Sequence, residues 1–271
     1  MPTVRAVVFD MGGTLWFETN PPDESHILRL EAERLAPLVA SWDITLPDPL
    51  EMIAREIWEN ALEGYGLAEE RRTYEEPRLP ALIRDALLRR GVRLSDAQSE
   101  QWWRTAYLPV REFNWQLYPD VIYVLSELKD AGMNLGVCTN RPFTSEMFAR
   151  DLEDYGLAPY IDAVVCSGDT GYIKPHPSTF NLILERLRVA AADALMVGDS
   201  CAADVAGAKA VGMQAVLKLN ARYDAAPCAH ADYAIHDLGE LLNLPVLPER
   251  LRPVATTESL TPHEDRNEER Y

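Results

Sequence analysis

The sequence predicts an α/β fold: a Rossmann-like parallel sheet with helices on both faces, plus an inserted all-α domain. Three observations carry that prediction. A buried-strand pattern opens the chain and ends in a carboxylate. A long stretch of purely helical pattern follows. From Pro119 onward short apolar runs alternate with amphipathic segments, the order that builds a parallel sheet covered on both sides.

The opening run has Val4, Ala6, Val7, Val8 and Phe9 around a single polar residue, Arg5. β-Branched and aromatic residues suit a pleated, covered position. The run ends at Asp10, and Gly12, Gly13 and Thr14 follow. Open α/β sheets bind ligands outside the carboxyl ends of their strands, so Asp10 stands where such a fold does its chemistry. The glycines let the backbone come close to a ligand.

From Pro21 to about Leu108 the periodicity is helical. Ser25 opens a segment with Ile27, Leu28, Leu35, Leu38 and Val39 on one face. Asp48 before Pro49 predicts a helix start, and that helix carries Met52, Ile53, Ile57 and Trp58 to an end near Gly64. Another runs from about Leu79 to Arg90 and stops at Gly91. Ser95 with Gln98 is a capping-box pattern ahead of Trp102, Trp103, Tyr107 and Leu108. Residues 17–116 therefore read as a helical domain inserted into a core made of 1–16 and 117–247.

In the second core segment Val121, Val124, Leu125 and Leu128 mark a helix ending at Gly132. A strand over Met133–Cys138 leads into Thr139, Asn140 and Arg141, and a helix spans Ser145–Tyr155. A strand over Ile161–Cys166 precedes a loop with Lys174, and Ser178 reads as the cap of a helix over Thr179–Leu187. A strand over Asp193–Val197 runs into Gly198-Asp199, and a small-residue helix covers Ala203–Val211. Strands over Met213–Leu219 and Tyr233–Ile235 and a helical turn over Leu238–Leu242 complete the core. Residues 248–271, rich in Glu, Arg, Thr and Pro, read as a flexible tail.

At 271 residues and 47% hydrophobic, the chain can bury a sizeable core. A net charge of −17 argues against nucleic acid, whose phosphates it would repel. It leaves room for a small phosphorylated ligand held by local cations and a metal. The four cysteines, Cys138, Cys166, Cys201 and Cys228, form no Cys-x-x-Cys pair, so buried reduced thiols without a metal are expected. No signal-peptide pattern and no membrane-length apolar run is visible, so a cytoplasmic monomer or homodimer is expected.

The motif at Asp10 resembles the first motif of the haloacid dehalogenase-like hydrolases, and three further motifs follow in the family's order at strand ends. These are Thr139, Lys174 in a Lys-Pro pattern, and Gly198-Asp199 with Asp204. Alone, each has a plainer reading: a strand ending in an acid, a Thr-Asn turn, a solvated loop lysine, an acid in the first turn of a helix. By resemblance, Asp10 is a nucleophile that takes up a phosphoryl group, and Thr14, Thr139, Asn140 and Lys174 hold that group. Mg²⁺ is held by Asp10, the Gly12 carbonyl, Asp199 and Asp204, with Asp204 a ligand or an orienter of ligands. The inserted helices act as a cap that hinges near 17–21 and 114–119 and excludes water on closing. Trp16 and Arg141 are the candidates for substrate contact.

Gly12 departs from the family pattern, which has a second aspartate there to protonate the leaving group and activate water. General acid–base catalysis is worth about 10²–10⁴ in rate. Glu18, Asp23, Glu24 and His26 lie just downstream as candidate substitutes. The expected function is thus a Mg²⁺-dependent phosphatase acting on a small phosphorylated metabolite. A non-catalytic or regulatory binding protein and a 2-haloacid dehalogenase-type hydrolase are the alternatives. Phosphonate cleavage through a cap lysine is excluded, because residues 17–116 contain no lysine.

Overall fold

A computed structural model describes residues 4–219 and 228–251. In chain order the elements are β1 (Ala6–Phe9), β2 (Trp16–Glu18), α1 (Glu24–Ser41), α2 (Leu50–Glu70), α3 (Leu79–Arg89), α4 (Asp96–Ala106) and β3 (Trp115–Leu117). There follow α5 (Val121–Asp130), β4 (Asn134–Thr139), α6 (Ser145–Asp154), β5 (Ala163–Cys166), α7 (Ser167–Thr170) and α8 (Pro177–Leu187). The last are β6 (Ala194–Gly198), α9 (Ala206–Val211), β7 (Gln214–Lys218) and β8 (Tyr233–Ile235).

Six strands form one parallel sheet in the order β5-β4-β1-β6-β7-β8. The chain fills one side of β1 and then the other, so the strand order reverses beside β1. A crevice opens at the carboxyl ends of strands at such a reversal. Successive side chains of β1 serve opposite faces, as a strand's twofold period requires. Val7 and Phe9 pack with Val121, Leu125 and Leu128 of α5 and Phe148 of α6. Ala6 and Val8 pack with Phe180, Ile183 and Leu187 of α8 and Ala208 of α9. The helices α1–α4 enclose a third core that includes Leu35, Ile53, Ile57, Leu87 and Trp102. Phe143, from the loop after β4, inserts into it and stacks on Trp103 at 5.9 Å. Among the described residues no helix is long and apolar enough to cross a membrane.

Several local expectations are corrected. The helix α2 passes Gly64 and continues to Glu70. A Cβ at Gly64 would lie 3.1 Å from Pro77, so this glycine serves close packing rather than helix termination. Asp48 does not cap α2; its carboxylate accepts from Arg90 at 2.8 Å, and Pro49 precedes the first turn. The helix α8 starts at Pro177, capped by the His176 ring, which accepts from the Ser178 amide at 3.3 Å. The capping box at Ser95 and Gln98 forms in full. The two-stranded antiparallel ribbon of β2 and β3 was not foreseen: each strand is only three residues long, and Trp16 reads as the end of the β1 motif. Pro248–Leu251 is not loose tail, because Leu251 is buried and Arg250 donates to the Ala131 carbonyl. The rest of the expected tail, 252–271, lies outside the described residues.

The largest correction concerns the cysteines. Cys138 and Cys166 are free and buried, but Cys201 and Cys228 form a disulfide with Cα atoms 5.7 Å apart. Sequence spacing does not reveal this, since the two lie 27 positions apart and meet only after β6 and β7 are paired. The bridge ties the turn after β6 to the chain beyond β7. Closing a loop of that size contributes about 3–4 kcal/mol by restricting the unfolded chain. Urea unfolding of the oxidised protein against Cys201→Ser/Cys228→Ser should show a loss of that order. A loss under about 1 kcal/mol would mean the bridge does not stabilise the fold.

Candidate active site

Three strand ends and one loop converge on a cavity of about 300 Å³. Asp10 follows β1, Thr139 ends β4, Asp199 follows β6, and Lys174 arrives on the loop between α7 and α8. Asp10, Gly12, Thr139, Asn140, Lys174, Asp199 and Asp204 all line this cavity, with Trp16 and Arg141 at its wall. Lys174 and Asp10, 164 positions apart in sequence, meet here across the sheet.

Lys174 is the centre of the charge arrangement. It is 4% exposed. Its Nζ donates to Asp10 Oδ1 at 2.7 Å, to Asp204 Oδ1 at 2.6 Å and to the Cys138 carbonyl at 2.9 Å. Burial opposes its charge, but the carboxylates of Asp10 and Asp204 more than offset this and hold its pKa above the ordinary lysine value. Burial likewise pushes the Asp204 carboxyl up, opposed by Lys174. The lysine loop is fixed from behind, because the Lys174 amide donates to Asn140 Oδ1 at 2.8 Å. Asn140 thus lines the cavity while anchoring the neighbouring loop.

Both oxygens of Asp204 are engaged by the chain itself: Oδ1 by Lys174, Oδ2 by the Ser200 amide at 3.0 Å. Its carboxyl lies directly over Gly198. A Cβ there would fall 2.3 Å from Asp204 Oδ2, so only glycine fits. This is the physical content of the Gly-Asp pair that ends β6. Gly13 takes a positive φ of 77°, which turns the loop after Asp10 back toward β2.

One carboxylate oxygen from each of Asp10, Asp199 and Asp204 lies within 4.8 Å of the other two. Two of these acids share the one buried ammonium and the third is half-buried beside them, so the cluster holds more carboxyl groups than its single cation can partner. Hard oxygen donors and unbalanced negative charge are the conditions that suit Mg²⁺.

Thr14 is the predicted residue that the structure does not bring to the cavity. It is fully buried, does not line the wall, and its hydroxyl has no hydrogen-bond partner. Arg141 lies with its guanidinium over the Phe148 ring at 4.8 Å and the Trp16 ring at 5.6 Å. Of the downstream residues offered as substitutes, none of Glu18, Asp23, Glu24 and His26 lines this cavity; Glu24 pairs with Arg55 at 2.7 Å, Asp23 accepts from Ser25, and His26 bonds Arg29.

Two residues that the motifs do not mark also shape the site. Trp115 lies over Gly12, and a Cβ on Gly12 would meet the indole at 3.4 Å. The volume beside Gly12 is therefore bounded by an aromatic ring. The Trp115 carbonyl accepts from Tyr155 at 2.7 Å, and its ring lies 6.0 Å from that of Trp16. Lys218 ends β7 buried, donates to the Gly13 carbonyl at 3.3 Å and sits 3.6 Å over the Tyr118 ring. Burial lowers its pKa. Its one sequence signal is a polar residue closing an apolar strand, the same signal that marks Asp10 and Thr139.

The haloacid dehalogenase-like hydrolase family model matches residues 4–212. A ribulose-1,5-bisphosphate 5-phosphatase from Halopiger xanaduensis is 38% identical over 156 residues, 55% of this chain and 62% of that protein. The chain thus spans less than two thirds of that relative's length. The HAD phosphatase of Thermococcus onnurineus shares 29% identity and a TM-score of 0.52, covering 89% of this chain and 97% of its own. A 2-haloacid dehalogenase from Pseudomonas syringae shares 25% identity and a TM-score of 0.57 over the same shares. Matched to the family over most of its length, and carrying the convergent strand ends described above, the chain belongs to the haloacid dehalogenase-like hydrolases.

Proposed function

We propose that the chain is a Mg²⁺-dependent phosphatase acting on a small phosphorylated substrate, with Asp10 as nucleophile. The observation that carries this reading is the Lys174 ammonium buried between Asp10 and Asp204 in a cavity where a third acid, Asp199, lies close by. A carboxylate held 2.7 Å from a buried ammonium is fixed in place as a nucleophile. Asp10 attacks phosphorus, the bond to the ester oxygen breaks, and that oxygen leaves with the electron pair. Water then cleaves the acyl phosphate, returning the Asp10 carboxylate and releasing phosphate. The Thr139 hydroxyl binds a phosphoryl oxygen, and the Lys174 charge beside Asp10 offsets the negative charge that builds on the phosphoryl group.

Asp10, the Gly12 carbonyl and Asp199 would hold the Mg²⁺, with Asp204 keeping Lys174 and the Ser200 turn in position. When bound, the ion neutralises negative charge on the phosphoryl group and the acids. Relatives named as phosphatases of ribulose 1,5-bisphosphate, glyceraldehyde 3-phosphate and phosphoglycolate support the phosphomonoester class. The dehalogenase reading is favoured by Gly12 and by the Pseudomonas likeness. It is opposed by the three clustered acids, since attack on a carbon–halogen bond uses no metal.

Phosphate release from acetyl phosphate and a panel of phosphoesters should need Mg²⁺, stop with chelator, and fall at least about a thousandfold in Asp10→Asn. Release that survives Asp10→Asn contradicts the nucleophile. No release from any substrate moves the weight to a binding protein, and halide release from a 2-haloacid moves it to the dehalogenase. A second expectation concerns Gly12. In Gly12→Asp the new carboxylate must share its volume with Trp115, so turnover of alkyl phosphates should rise more in Gly12→Asp/Trp115→Ala than in Gly12→Asp alone. Equal rates in the two variants would show that the indole does not obstruct that position.

A further inference from the structure

A second cavity, about 350 Å³, shares Trp115 and Arg141 with the first. Its wall comes mainly from the inserted helices and is apolar: Leu28 on α1, Trp58 on α2, and Leu108, Phe113 and Phe143. One polar group lies deep in it. Glu31 is 3% exposed, on the apolar face of α1 between Leu28 and Leu35, and accepts from the Trp58 indole at 2.9 Å. Burial raises its pKa to about 7. The Trp58 indole N–H satisfies one oxygen of this carboxyl, and the carboxyl stands in the cavity lining as its buried polar group.

Resting on the phosphatase reading, we propose that this cavity holds the leaving group and that the substrate is an aryl phosphate. The phosphoryl group lies at Asp10 and Lys174, the flat ring passes Trp115 into the apolar cavity, and Glu31 meets a polar substituent on the ring.

Three observations converge on that class. Gly12 offers no side chain to protonate the departing oxygen, and Trp115 bounds the space beside it. A phenol has a pKa of ~10, whereas the hydroxyl of water stands near ~16, so an aryloxide departs unassisted far more readily than an alkoxide of similar basicity to hydroxide. The aryloxide takes the electron pair of the broken P–O bond and collects its proton from solvent. The lining, rich in Trp and Phe, matches an aromatic body. The hydroxyls of a sugar phosphate would lose water there without gaining partners. Finally, the size is sufficient, since a cavity of about 150 Å³ already holds benzene.

Calorimetry of the wild-type protein with Mg²⁺ would compare phenylphosphonate with methylphosphonate, which share the phosphoryl end and cannot be hydrolysed. The phenyl compound should bind about tenfold tighter or better. Equal affinity overturns the proposal. Leu28→Trp, which fills the cavity, should erase the phenyl advantage, and a folded variant that keeps the full advantage also overturns it. If that variant does not fold, Phe113→Ala replaces it and should shrink the advantage several-fold. Phosphate release from acetyl phosphate, too small to reach the cavity, is measured in parallel. No release from acetyl phosphate and phenyl phosphate alike defeats the phosphatase reading and the aryl assignment with it, whereas release from acetyl phosphate with no preference for phenyl phosphate over phosphoglycolate defeats the aryl assignment alone.

Discussion

The buried ammonium of Lys174, bonded to both Asp10 and Asp204, is the contact on which the site depends. Removing one partner of such a buried charged group leaves the others without their hydrogen bonds in an interior that cannot replace them with water. The geometry of Lys174 is over-determined. The loop that carries it is fastened to Asn140, Asp204 is fastened to Ser200, and Gly198 leaves room for the Asp204 carboxyl. These supports lie at the ends of neighbouring strands, so the parallel sheet transmits its own rigidity to the charge cluster. Lys174 has no rotamer to search when a substrate arrives, which is what electrostatic preorganisation requires.

The inserted helices meet the core in more than one place, through the Glu75–Tyr172 bridge and through a set of contacts that lies beside the site. Phe143 inserts between Trp103 and Tyr107, the Trp103 indole donates to the Pro142 carbonyl at 3.1 Å, and Tyr107 donates to Asp151 on α6. Phe143 stands two residues after Arg141 and four after Thr139. The segment that leaves β4 therefore supplies a cavity-lining hydroxyl, a guanidinium at the boundary of two cavities and the aromatic plug of the helical layer. Any movement of the helices on the core would be felt at Arg141 and Trp115, the two residues common to both cavities.

Much of this was legible in the sequence, and what was not has physical causes. Asp10, Thr139 and Asp199 could be found because each closes an apolar run, and a parallel sheet gathers its strand ends on one edge. Lys174 needed the family pattern, since a loop lysine carries no local signal of burial. Trp115 and Glu31 were missed because their roles arise from packing between elements far apart in sequence. Glu31 left a trace, a carboxylate three residues after Leu28 and four before Leu35, on the buried stripe of α1. Thr14 was misplaced because its motif neighbours reach the cavity while the turn at Gly13 takes Thr14 into the interior. The Cys201–Cys228 bridge and the β2–β3 ribbon depend on long-range closure, which no local pattern encodes.

The central claim is that this is a phosphoryl-transfer site from which a proton donor to the leaving group is missing. The dependence of kcat/KM on leaving-group pKa, measured with Mg²⁺ across a series of ring-substituted phenyl phosphates, tests it most directly. The account predicts a steep fall in kcat/KM as the phenol becomes more basic. A flat dependence would contradict it, because it would mean that some group in the site delivers the proton that Gly12 cannot.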